Sequence, residues 1–165
     1  MYRKLDDFYT DWKFESEATL KVLKNLSDDA LNHAVTEEGR TVGDIAWHLV
    51  LTLGEMPKRA GLPIDAPEES SEIPLAQEIS ETYALASVSL ESELKKNWKD
   101  ENLSEKVNMY GEEWPKGTVL STLIMHQAHH RGQLTILMRQ AGLRVPGVYG
   151  PSREEWELMG LPPMK

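Results

Sequence analysis

The sequence predicts an all-α fold, a four-helix bundle. Four long segments repeat apolar residues at helical spacing, and the stretches between them are rich in Gly, Pro and acidic residues. No alternation of polar and apolar residues is long enough to read as a convincing sheet. A chain of 165 residues suits one compact domain, residues 1–165, with a single core.

The first helix is expected over residues 4–25, where Phe8, Trp12, Glu15, Thr19, Val22, Leu23 and Leu26 form an imperfect stripe. Ser27, followed by Asp28 and Asp29, resembles a cap and a first acidic turn. The second helix starts on Thr41, a good N-cap residue, and runs to about residue 58, with Pro57 near its end. Residues 63–74 are rich in Pro, Ser and acid and read as a mobile surface loop. The third helix covers about 75–98, with Ile79, Tyr83, Ala86, Leu90 and Leu94 apolar. Residues 100–117 are irregular, and Val107, Met109 and Tyr110 suit a short strand or extended lid. The fourth helix begins near Thr118 and ends about Ala141, with Gly142 placed to cap it. Ser152-Arg-Glu-Glu reads as a capping box that opens a last short helix.

A formal net charge of −9, with no basic cluster to offset it, argues against binding nucleic acid. The absence of cysteine excludes disulfides, thiolate metal sites and cysteine nucleophiles. No apolar stretch reaches the roughly 18 residues of a membrane span. The N-terminus is polar and lacks the apolar run of a signal peptide, so a cytoplasmic protein is expected. The N-x-S sequons at Asn25 and Asn102 then read as chance matches. Acidic residues such as Glu68-Glu69 and Asp100-Glu101 read as solubilising rather than as a binding surface for a basic partner.

Three of the five histidines fall together, at His126, His129 and His130. Positions four apart on a helix differ by about 40°, so His126 and His130 share one face. Leu120, Leu123, Leu134, Leu137, Met138 and Ala141 set the inward direction. Their mean lies roughly 70° from His126 with His130 between, whereas His129 points more than about 100° from the stripe centre. On the second helix His48 borders the apolar face of Val42, Ile45, Leu49, Leu53 and Met56. Asp44 and Glu55 lie within about 40° of His48. Either can orient a ligating imidazole, and Glu55 can also serve as a fourth ligand. An H-x-x-x-H pair alone is weak evidence, since it more often marks two partly buried histidines hydrogen-bonded to backbone or carboxylate. Gln127 also stands where a zincin needs glutamate. A third inward histidine on another helix favours a divalent-metal site.

Thr41-Val-Gly-Asp-Ile-Ala-Trp-His48, followed by His126-Gln-Ala-His-His130-Arg-Gly-Gln133, resembles the DinB/YfiT-like family of metal-dependent enzymes. Val145-Pro-Gly-Val-Tyr-Gly-Pro-Ser152 is similar to that family's closing segment. The resemblance implies an up-down-down-up bundle, usually a homodimer. It also implies a divalent metal, nickel or zinc, on His48, His126 and His130.

Three imidazoles leave a coordination position open, unlike a closed structural site. The chemistry expected is that of a hydrolase or of a low-molecular-weight-thiol S-transferase using a thiol such as bacillithiol. Its small-molecule substrate is not encoded in any motif. Asp44, Glu55, Gln127, Arg131, Gln133 and Tyr149 are the polar groups that can assist. Arg131 and Gln133 are more readily explained as helix or subunit contacts, and Trp47, Trp98, Trp114 and Trp156 as packing. The alternative is a non-catalytic metal- or ligand-binding bundle involved in stress response.

Overall fold

The computed structural model describes residues 1–68 and 72–162. Its long helices are α1 (Leu5–Leu23), α2 (Val42–Arg59), α3 (Ala76–Asn97) and α4 (Lys116–Gln140), followed by the short α5 (Arg153–Leu158). A two-stranded antiparallel hairpin, β1 (Lys106–Met109) and β2 (Glu112–Pro115), precedes α4. The architecture is an all-α four-helix bundle carrying this one hairpin.

Local chemistry sets several of the helix ends. Thr41 caps α2 by accepting from the Asp44 N–H at 3.0 Å, while the Asp44 carboxylate accepts from the Thr41 N–H at 2.7 Å. This reciprocal arrangement satisfies two otherwise orphaned donors. Ser152 and Glu155 repeat it at α5. Gly142 follows α4 with φ +75°, a left-handed conformation that glycine adopts without a Cβ penalty. Asp28 acts differently from the predicted cap. Its Oδ1 accepts from the Ala76 N–H at 2.8 Å, and Ser27 makes no side-chain cap bond.

Contacts at the helix ends fix the directions. The Tyr2 N–H donates to the Gly117 carbonyl at 3.1 Å, and Lys21 near the end of α1 donates to the Gly147 carbonyl at 3.0 Å. α1 and α4 are therefore parallel. Leu5 N–H donates to Asp100 beyond the end of α3, so α1 and α3 are antiparallel. Tyr110, just before α4, reaches Glu55 near the end of α2, so those two are antiparallel as well. The bundle is up-down-down-up, with α1 and α2 each packed against both α3 and α4. One continuous apolar cluster fills the centre, from Phe8 and Trp12 on α1 to Leu134 and Met138 on α4.

Within the region 100–117, Val107 and Met109 form the expected short strand, and its partner β2 makes it a hairpin with Val107 opposite Trp114. Two details depart from the sequence expectation. Helix α4 starts at Lys116, two residues early, on a Pro115 N-cap. The 63–74 connection is anchored within its described part. Leu62 and Ile64 are buried, the Asp65 N–H donates to Ser89 at 2.8 Å, and Lys58 donates to the Ala66 carbonyl at 3.0 Å. The physical reason is topological. α2 and α3 run parallel, so their link must cross the length of the bundle, and apolar anchors worth about 1.5–3 kcal/mol each hold it there. Glu69, of the predicted acidic loop, lies outside the described residues.

Candidate metal centre

Two helices bring three imidazoles to one point. His48 on α2 faces His126 and His130, one turn apart on α4. One ring nitrogen of each lies within 4.8 Å of the others. The Nε2 atoms of His48 and His126 are 3.3 Å apart. Two ligands at the corners of a tetrahedron around zinc, each about 2.0–2.1 Å from it, are separated by about 3.4 Å, so this pair already has a fitting spacing. His129 is exposed and outside the cluster, as its angular position predicts.

Electrostatics keep the cluster neutral. Burial pushes His48 down to about 4, helped by the charges of His130, Arg40 and His126, with Glu55 opposing. Burial likewise pushes His126 down to about 4, with His130 and His129 adding to it. His130 is lowered by burial, against the raising effect of its bond to Gln133. Neutral imidazoles are the form that ligates a metal. The donor set therefore fits a divalent ion such as zinc or nickel, for which nitrogen ligands are suitable.

Of the four polar residues expected to support the ligands, Gln133 alone touches one. Its Oε1 lies 2.8 Å from His130 Nδ1, and its Nε2 lies 3.1 Å from His129 Nε2. Accepting the Nδ1 proton leaves the His130 Nε2 lone pair free for a metal. Asp44 is committed to the α2 cap. Glu55 accepts from Arg59 Nε at 2.9 Å and from the Tyr110 hydroxyl at 3.0 Å. Gln127 points into the bundle. Its amide donates to the Leu49 carbonyl and Thr52 Oγ1, and its oxygen accepts from the Tyr83 hydroxyl. Among the described residues these three make no hydrogen bond to the histidines, because each has partners on its own helix end or in the core, although the charge of Glu55 still acts on His48 and His126. Glu55 nevertheless lines a cavity of about 490 Å³ together with His48, Thr52, Lys58, Arg59 and Pro67. That is an ordinary size for a small-molecule pocket.

Tyr110 reaches the end of α2 from the hairpin. It sits at φ +57° beside Gly111 at φ +90°, in a two-residue hairpin turn that normally takes Asn-Gly or Asp-Gly. A bulky side chain is uncommon in that conformation. The bonds to Glu55 and a 5.0 Å cation–π contact with Arg59 fasten its ring over the end of α2.

Arg131, the residue after His130, turns toward α1 and centres a buried ionic network. Arg131 is 2% exposed. It donates to Glu15 Oε2 at 2.6 Å, to Thr19 Oγ1 at 2.9 Å and to the Glu15 carbonyl at 3.1 Å. Its NH2 also donates to the Tyr149 hydroxyl, which in turn donates to Glu15 at 2.9 Å. Arg131 and Tyr149 are thus structural ties joining α4, α1 and the tail. The signal was present: Glu15 and Arg131 each interrupt an apolar stripe, with opposite charges. Trp47 and Trp98 are buried packing residues.

Comparison with known proteins agrees with the fold. The model of the DinB family matches residues 1–164. The uncharacterized protein YrdA of Bacillus subtilis (strain 168) is 45% identical over 162 residues, covering 98% of this chain and 97% of its own. A crystal structure of a DinB-like protein from Bacillus cereus superposes with TM-score 0.87 at 36% identity, over 90% of this chain and 100% of that one. The DinB-like protein YjoA of Bacillus subtilis, at 16% identity, shares the fold with TM-score 0.68 over 86% of this chain and 96% of its own.

Proposed function

The chain belongs to the DinB family, and from that premise we propose that it is a metal-dependent enzyme whose centre is His48, His126 and His130. The reaction is that of a hydrolase or a low-molecular-weight-thiol S-transferase, with nickel or zinc as the ion and bacillithiol as a fitting thiol. The observation that carries the reading is the convergence of three neutral imidazoles from two helices beside a cavity of about 490 Å³. A structural site is normally closed by four protein ligands. A divalent ion held there supplies Lewis acidity, which makes a water or thiol nucleophilic at neutral pH. The chain supplies the rest. Gln133 fixes the His130 tautomer, and the apolar core behind α2 and α4 excludes water from one side. Glu55, held by Arg59 and Tyr110, offers a carboxylate to the polar end of whatever enters the cavity.

The test is cobalt substitution followed by titration with bacillithiol. A saturable change in the visible spectrum at about one thiol per metal supports the transferase reading. A spectrum blind to thiol, together with no hydrolysis of ester or amide substrates, removes the catalytic reading. One observation favours the alternative, a non-catalytic metal- or ligand-binding bundle with a role in stress response. Among the described residues, no carboxylate is hydrogen-bonded to the cluster, and Glu55 already has partners. That reading predicts full metal loading with neither response.

A further inference from the structure

A second cavity, of about 400 Å³, opens between the start of α2 and the second half of α4. Its apolar walls are Val35, Ile45, Ile136 and Leu137, and its polar groups are Arg40 and Gln133. Gln133 is the residue bonded to His130, so this cavity adjoins the cluster. Arg40 precedes the α2 cap and is exposed. Arg59, Arg131 and Arg139 each pair with a glutamate, whereas Arg40, like Arg3, Arg144 and Arg153, has no hydrogen bond or ion pair among the described residues; of these four it is the one that lines this cavity. Its charge nonetheless reaches the site, since it helps hold all three imidazoles below their ordinary range. Val35 and Ile136 are large apolar side chains left 61% exposed on the walls of this cavity.

A guanidinium as the single charged group of a mainly apolar cavity matches one class of small molecule. We propose that this cavity binds an amphipathic organic carboxylate, its hydrocarbon body against Ile45, Ile136 and Leu137 and its carboxylate on Arg40. A planar guanidinium meets a carboxylate through two parallel charge-assisted hydrogen bonds, which a neutral amide of the same shape cannot reproduce. The apolar walls gain from covering the hydrocarbon and do not distinguish the two head groups. The proposal rests on the metal-centre reading only for the bound carboxylate being a substrate; the binding itself does not need the ion.

The experiment is calorimetric titration of the full chain with 4-phenylbutyrate and with 4-phenylbutyramide, before and after EDTA treatment, with metal content measured on each sample. The carboxylate is expected to bind about tenfold tighter than the amide, before and after metal removal. Arg40→Gln removes that preference and leaves amide binding unchanged. Ile136→Ser weakens both ligands alike. Helical circular dichroism equal to that of the parent checks that both variants are folded. Equal binding of the two ligands, no saturation by either, or a preference that survives Arg40→Gln overturns the proposal. So does a preference that disappears with the metal, because the carboxylate then sits on the ion. Metal analysis keeps the two readings apart: a chain that takes up no ion when loaded with zinc or nickel, yet discriminates through Arg40, refutes the metal centre and retains this site.

Discussion

Glu15→Ala is expected to be among the most costly single substitutions in the bundle. Arg131 is 2% exposed, and the side chain of Glu15 is 11% exposed where they meet at 2.6 Å. Removing the carboxylate takes away the anion facing Arg131 Nη2 and both acceptors of the Tyr149 hydroxyl. The guanidinium keeps Thr19 Oγ1 and the Glu15 carbonyl, which are neutral. Breaking a buried pair from one side costs about 3–5 kcal/mol, because a charge is left without its counter-ion. For a chain of this size about 1 kcal/mol corresponds to roughly 2–4 °C, so Tm should fall by roughly 6–20 °C. The double variant Glu15→Leu/Arg131→Met removes both charges and should recover most of that loss. Thermal unfolding of the four members of the cycle measures the coupling. A Glu15→Ala loss below about 1 kcal/mol, or a double variant as unstable as the sum of the singles, refutes the reasoning.

The site makes its own predictions. Gln133→Ala should lower metal affinity by about 10–100-fold in a chelator competition while leaving the fold intact, because His130 loses the acceptor that orients it. The metal-free protein should lose stability as pH falls from about 6.5 toward about 4, the folded-state value of His48 and His126. The unfolded chain binds more protons in that window, so acid favours unfolding, and the contribution is fully present only above it. Urea midpoints at pH 5 and pH 7.5 check the sign. Gly117→Ala should destabilise by about 1–3 kcal/mol, since its Cβ would lie 2.2 Å from the Tyr2 carbonyl oxygen, a backbone atom that cannot swing away. Denaturant unfolding measures it.

Where one segment contains all the information, the sequence was readable. Thr41 with Asp44, Gly142, and Ser152 with Glu155 announce helix ends through chemistry within a few residues. The facing of His48, His126 and His130 follows from helical period and from the apolar residues around each. The hairpin was hidden because its strands have four residues each and its turn uses Tyr110 in place of the usual Asn or Asp. Gln127 is polar, so hydropathy does not mark its place in the core. Gln127 in fact lies in the core stripe with Leu120, Leu123, Arg131 and Leu134, where its satisfaction depends on Leu49, Thr52 and Tyr83 from two other helices. Partners that distant in sequence leave no local pattern. That Arg40 has no partner among the described residues is equally invisible, since it is defined by what does not approach it.

The most direct test of the central claim is metal stoichiometry in the parent and in His48→Ala, His126→Ala and His130→Ala, after loading with zinc or nickel and exhaustive dialysis. About one divalent ion per chain in the parent, and loss of it in every single variant with helical content preserved, is the predicted result. An unchanged metal content in His48→Ala, the one ligand from α2, would contradict the three-histidine centre.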